Sequence, residues 1–135
     1  MPILEFETEY RYPDHPTNGI VLDVQLQAGK NKPATVQAHV DTGAAHCLFI
    51  GDYADLLGLD LRDGKPLTFN TPNGGEIVAY GHEVTIKVLN HTVESMVYFA
   101  DDPGFKRNVL GRQGWLHHFR LGLIHYDSKL YLQRY

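Results

Sequence analysis

Apolar and polar residues alternate with period two along most of the chain. Leu4, Phe6, Thr8 and Tyr10 alternate with Glu5, Glu7 and Glu9. The same rhythm runs through Ile20 to Ala28, Val36 to Val40 and Val84 to Val88. Successive side chains of a strand point to opposite faces, so each segment predicts a half-buried β-strand. Met96 to Ala100 is a nearly continuous apolar run and predicts a more deeply buried strand. Turn-forming clusters separate these pieces: Asn18-Gly19, Gly29-Lys30-Asn31, Asn73-Gly74-Gly75 and Asp102-Pro103-Gly104. Only two stretches favour helix. Asp52 to Leu57 has Asp52 as a cap and Gly58 as a stop. Arg112 to Phe119 puts Trp115, Leu116 and Phe119 on one face, although Gly114 weakens it by about 1 kcal/mol. The pattern predicts one mostly β domain over residues 1–135, with two short helices.

Composition narrows the function classes. The 135 residues are 43% apolar and 21% charged, with a net charge of −4, as in an ordinary globular domain. That charge speaks against nucleic acid or an acidic membrane surface as the main partner. The single Cys47 excludes an internal disulfide framework. No apolar run approaches the length of a membrane span, and the start lacks a basic-then-apolar leader pattern. A cytoplasmic location is therefore expected. No histidine spacing suggests a metal site, and no cofactor is expected. His117 and His118 are expected at the surface, and Cys47 as a buried small hydrophobe.

One triplet carries candidate chemistry. Asp41-Thr42-Gly43 closes an apolar strand and is followed by Ala44. In such a turn the Asp can act chemically, the Thr hydroxyl can pin the backbone, and the Gly lets another backbone approach. A strand ending in an ordinary Asx-type turn would look the same. The context is more specific. A return segment, His46 to Ile50, leads into Tyr53-Ala54-Asp55-Leu56-Leu57-Gly58-Leu59. A Gly-tipped hairpin runs from Thr68 to Tyr80, and Asn108-Val109-Leu110-Gly111-Arg112 precedes the second predicted helix.

In order and spacing, residues 18–132 resemble the retroviral-type, single-lobe aspartic proteases, and bacterial members in particular. The resemblance implies a closed β-barrel-like lobe in which Val109-Leu110-Gly111 packs beside the Asp41 loop. It implies that the Gly74-Gly75 hairpin is a flap over a cleft. It makes Asp41, Thr42 and Gly43 the catalytic triplet, and Ala44, Ala45, Asn73, Gly74, Gly75 and Leu110 substrate-binding positions.

Aspartic proteolysis needs two carboxylates facing one water, and this chain contains a single Asp-Thr-Gly or Asp-Ser-Gly. Asp127-Ser128 runs into Lys129 and predicts a hairpin turn. A homodimer is therefore expected, because a two-fold axis brings the same residue of each chain to one point. Two like charges at that point would share one proton. One carboxylate then activates water while the other polarises the scissile carbonyl. The substrate would be peptide in extended form. The rival reading is a dimer of the same fold that grips peptides without cutting them.

Two positions depart from relatives. Ala44 cannot donate a hydrogen bond to the outer carboxylate, as the Ser or Thr of pepsin-like lobes can. The expected working pH is therefore acidic but above the range of about pH 2–3 of stomach-type enzymes. Ala45 stands where retroviral enzymes carry the acid that binds the Arg of their second motif, so Arg112 has no assigned partner. The C-terminal strand, Leu130 to Tyr135, is expected to contribute to the dimer contact, the alternative being that it only completes the lobe.

Overall fold

The computed structural model describes residues 2–13 and 19–135, so Asn18 of the expected Asn18-Gly19 turn lies outside the described residues. The alternating segments form strands where expected. They are β1 (Thr8–Arg11), β2 (Val21–Gln27), β3 (Ala34–Val40) and β4 (Leu48–Phe49). Helix α1 (Asp52–Leu56) follows, then β5 (Lys65–Asn70), β6 (Glu76–Val88), β7 (His91–Ala100) and β8 (Val109–Leu110). The chain ends with β9 (Phe119–Ile124) and β10 (Lys129–Arg134).

The larger sheet has the order β2-β3-β8-β4-β7-β6-β5, and β2 also pairs with β6. Six strands thus close into a ring, with β5 outside it as an edge. Along β2, Leu22, Val24 and Leu26 are buried while Asp23 is exposed, so the period-two pattern does what it predicts. These residues meet Phe49, Ile86, Phe99, Leu110 and Trp115 in one core. Each fully buried side chain of this kind contributes about 1.5–3 kcal/mol. A second cluster of Leu48, Ala79, Tyr98 and Ala100 gathers Phe69 and Ile77 from the β5–β6 hairpin. β6 is one strand of 13 residues, longer than the segments read from the sequence.

The smaller sheet has the order β1-β10-β9. The C-terminal strand thus completes the lobe's own terminal sheet. β10 lies between β1 and β9 and pairs with both, so neither of its edges is open to a second chain. β1 starts at Thr8, because Leu4 to Phe6 find no partner strand. The Asp127-Ser128 turn is present, with Ser128 in the left-handed region at φ 55°.

The second expected helix shrinks to a 3-10 turn over Leu116–His118. Gly114 is the reason. Its φ of +102° is incompatible with helix, and its α-carbon lies against the Met96 carbonyl, 2.9 Å from where a β-carbon would sit. Trp115 is still fully buried, with its ring 5.2 Å from Phe119. α1 begins one residue earlier in its capping than expected, at Gly51, with no side-chain cap.

His118 is not a surface residue. It is half-buried, and its Nε2 is 2.9 Å from Ser95 Oγ on β7. Burial first, then the charges of Arg134 and His117, hold its imidazole below the ordinary 6.5. The unfolded chain therefore takes up this proton more readily than the folded one. The contribution to stability is complete above about pH 6.5 and is lost as pH falls through the folded value. Thermal unfolding between pH 7.5 and 5 should show this acid limb, and His118→Gln, which keeps a bond to Ser95, should flatten it. An unchanged slope would rule out the assignment.

Candidate active site

Asp41 stands one residue past β3. Its N–H donates to the Leu110 carbonyl at 3.0 Å, extending the parallel β3–β8 pairing. Gly43 N–H donates to Asp41 Oδ1 at 2.9 Å, and Ala44 N–H to the Asp41 carbonyl at 3.2 Å. These bonds fix the carboxylate in a tight turn. Thr42 and Gly43 are exposed, while Asp41, Ala44 and Ala45 are half-buried. The triplet therefore sits at the surface with a rigid base beneath it.

That base is the 108–113 segment. Arg112 N–H donates to the Ala44 carbonyl and Gln113 N–H to the Ala45 carbonyl, both at 2.9 Å. Gly111 N–H reaches Cys47 Sγ at 3.3 Å. Cys47 is fully buried, and burial pushes its thiol up to about 11, so it stays protonated and packs as a small hydrophobe. Arg112 finds its partner here: its guanidinium donates to the Thr42 carbonyl at 3.0 Å. With Ala45 in place of an acid, the Arg binds the triplet's backbone directly.

Leu110 requires a correction. Its side chain is fully buried in the core and offers no surface to a substrate; the site uses its carbonyl instead. The alternation along β8 turns Leu110 inward. Asn108 was visible in the sequence only as the start of a motif. It is buried, its Oδ1 accepts from Ile50 N–H, and its Nδ2 donates to the Gln37 carbonyl, both at 2.9 Å. It ties β3 to the end of β4, on either side of β8. A buried polar residue just before two apolar strand residues is the signal that could have marked it.

The β5–β6 hairpin pairs up to Asn70 and Glu76, leaving residues 71–75 as its tip. Thr71 closes the tip: its carbonyl accepts from Gly74 N–H and its Oγ1 from Gly75 N–H. Asn73, Gly74 and Gly75 are all exposed. Just below its tip the hairpin is tied to the segment after the triplet. The His46 ring lies 5.8 Å from Phe69 and 5.2 Å from Tyr98, edge-on to both. Gly74 has φ +81° with nothing within 4 Å of its missing β-carbon. Gly74→Ala should therefore cost only the backbone strain, about 1–2 kcal/mol, seen as a small drop in melting temperature. A neutral result would mean that the tip relaxes freely.

A cleft of about 820 Å3 opens beside β3, between its outer face and the loop 102–108. It is lined by His39, Ile77 and Phe105 among others, but not by Asp41. Among the described residues, no group of three or more His, Cys, Asp or Glu side chains could hold a metal ion. Among them, too, no helix is long and apolar enough to cross a membrane.

Comparison with known proteins places this geometry. The sequence family described as aspartyl protease matches residues 24–123. A retropepsin-like aspartic protease from Rickettsia conorii superposes with a TM-score of 0.67 at 18% identity, over 93% of this chain and 98% of that one. The EIAV protease, in complex with the inhibitor HBY-793, superposes with a TM-score of 0.55 at 17% identity, over 74% of this chain and 88% of that one. No curated protein matches the sequence significantly.

Proposed function

The chain belongs to the aspartyl protease family and has a retropepsin-like fold, and from that premise we propose that it is a homodimeric endopeptidase with one active site per dimer. Asp41 of each chain supplies one carboxylate. The observation that carries the reading is the single Asp-Thr-Gly turn, held at the surface by the Leu110 carbonyl and the Gly43 N–H. Among the described residues, no hydrogen bond reaches the other Asp41 carboxylate oxygen, which leaves it available to water and to a second carboxylate.

In this reading the two carboxylates face one water and share one proton. The ionised one removes a proton from the water as it attacks the scissile carbonyl. The protonated one donates to the carbonyl oxygen and later supports protonation of the leaving amine. Thr42 braces the two triplets across the axis, with Arg112 holding its carbonyl from behind. The Gly43 carbonyl and nearby backbone bind the peptide in extended form, as an added strand, with Ala44 and Ala45 beside it. Asn73, Gly74 and Gly75 close over it and exclude water.

The test joins association to activity. Sedimentation should show a dimer, and on dilution through the dissociation constant the specific activity should fall with the dimer fraction. A structure of the assembly should place the two Asp41 carboxylates in hydrogen-bond range, about 2.5–3.0 Å. A monomer of undiminished activity would overturn the proposal. A dimer that cleaves nothing across a broad peptide library would leave the peptide-gripping alternative.

A further inference from the structure

His39 lies on β3, two residues before Asp41. Side chains at i and i+2 share one face of a strand, and the ladder continues to Asp41 through its bond to Leu110. By that alternation Asp41 leaves β3 on the face that carries His39. Its cross-strand neighbours are Val21 on β2 and Val109 on β8. Further from Asp41, the same face carries Asp23 and Gln37, which are paired across β2 and β3. This face is the floor of the 820 Å3 cleft.

The polar groups of the cleft are unequally satisfied. His39 Nδ1 is shielded from solvent and has no hydrogen-bond partner. A shielded polar atom without a partner costs about 1–3 kcal/mol and calls for an explanation. Lys106 and Arg107 stand exposed on the cleft's rim, and neither makes an ion pair among the described residues. The two acids are engaged: Asp102 Oδ1 accepts from Gly104 N–H at 2.8 Å, and Asp23 Oδ1 from Gln37 Nε2 at 3.4 Å. What the cleft still offers, among the described residues, is the unpartnered His39 imidazole and two free cations, beside the second carboxylate oxygens of Asp23 and Asp102. Ile77 and Phe105 add apolar walls that would pack a side-chain stem.

We propose that this cleft extends the Asp41 site and takes an acidic side chain of the polypeptide substrate, with His39 as the residue that selects it. The inference rests on Asp41 being a peptide-cleaving centre. An extended peptide lying across Asp41 places alternate side chains on the β3 face, and one of them reaches His39. There a Glu or Asp carboxylate accepts from the imidazole, with Lys106 and Arg107 drawing it in from the rim. A site built on hydrogen bonds to a substrate rejects the analogue that lacks them more strongly than an apolar pocket rejects an extra methylene.

The experiment is cleavage of a random dodecapeptide library, read by mass spectrometry. Asp or Glu should be enriched at one fixed position close to the scissile bond. For the best such peptide and its Glu→Leu analogue, the ratio of kcat/KM should fall at least tenfold in His39→Leu. His39→Gln, which keeps a donor, should restore part of it. A merely structural role for His39 would lower both peptides together and leave the ratio unmoved. Absence of acidic enrichment, or an unmoved ratio, overturns the proposal. If no peptide is cleaved, the reading of Asp41 has failed, and binding decides the cleft separately. The Glu peptide should then shift the NMR signals of His39, Lys106 and Arg107 in the Asp41→Asn protein, and its Leu analogue should not. Equal or absent shifts with both peptides overturn the proposal in that case as well.

Discussion

Asp41→Asn should abolish peptide cleavage, by about 10^4-fold or more, while fold and assembly stay intact. The size of the loss follows from symmetry. In the proposed dimer one substitution in the gene would remove both carboxylates, and with them the general base and the acid together, each typically worth 10^2–10^4-fold. The fold should tolerate the change because Asp41 meets its surroundings through Oδ1, which accepts from Gly43 N–H. An Asn carbonyl oxygen can accept the same bond. The residue is half-buried and makes no ion pair among the described residues, so no charge is stranded. Peptide cleavage assayed beside melting temperature and sedimentation checks all three parts. Undiminished cleavage would end the aspartic-protease reading of this site.

Gly111→Ala should be strongly destabilising and should strike the site directly. A β-carbon there would lie 2.2 Å from the His46 carbonyl oxygen and 2.8 Å from that of Ala44. Both obstacles are backbone, and both belong to the loop that carries Asp41. The Ala44 carbonyl is itself bonded to Arg112 N–H, so it cannot swing away without losing that bond. Overpacking against side chains costs about 1–3 kcal/mol; against fixed backbone the loss should reach at least the top of that range. Melting temperature should drop by about 10 °C or more. Any protein that folds should have its triplet displaced and its cleavage impaired. A stable, active Gly111→Ala protein would show that the 108–113 segment is not the rigid base of the site.

Much of this architecture is legible along the chain because it is local. β2 and β3 follow from strict alternation, and the β5–β6 hairpin from the turn residues at its tip. Asp41 is legible because Asp, Thr and Gly are adjacent in sequence and each has a distinct physical task. What escaped the reading depends on contacts between distant segments. The face Leu110 turns inward is decided by β8 lying between β3 and β4. The helix expected at Arg112–Phe119 fails because Gly114 meets Met96, which lies on another strand. Arg112 could not be given a partner because its acceptor is a backbone carbonyl 70 positions away. A carbonyl leaves no trace in residue identity. His39 went unremarked for the same kind of reason: its proximity to Asp41 was plain, but its missing partner was not.

The position of β10 has a consequence for how two copies can meet. β1 and β9 occupy both of its edges, so each chain completes its own terminal sheet. In the proposed dimer, two such lobes would meet with β10 already paired on both sides. Folding of the lobe and association would then be separate steps, and dilution would silence the enzyme with nothing unfolded and nothing cut.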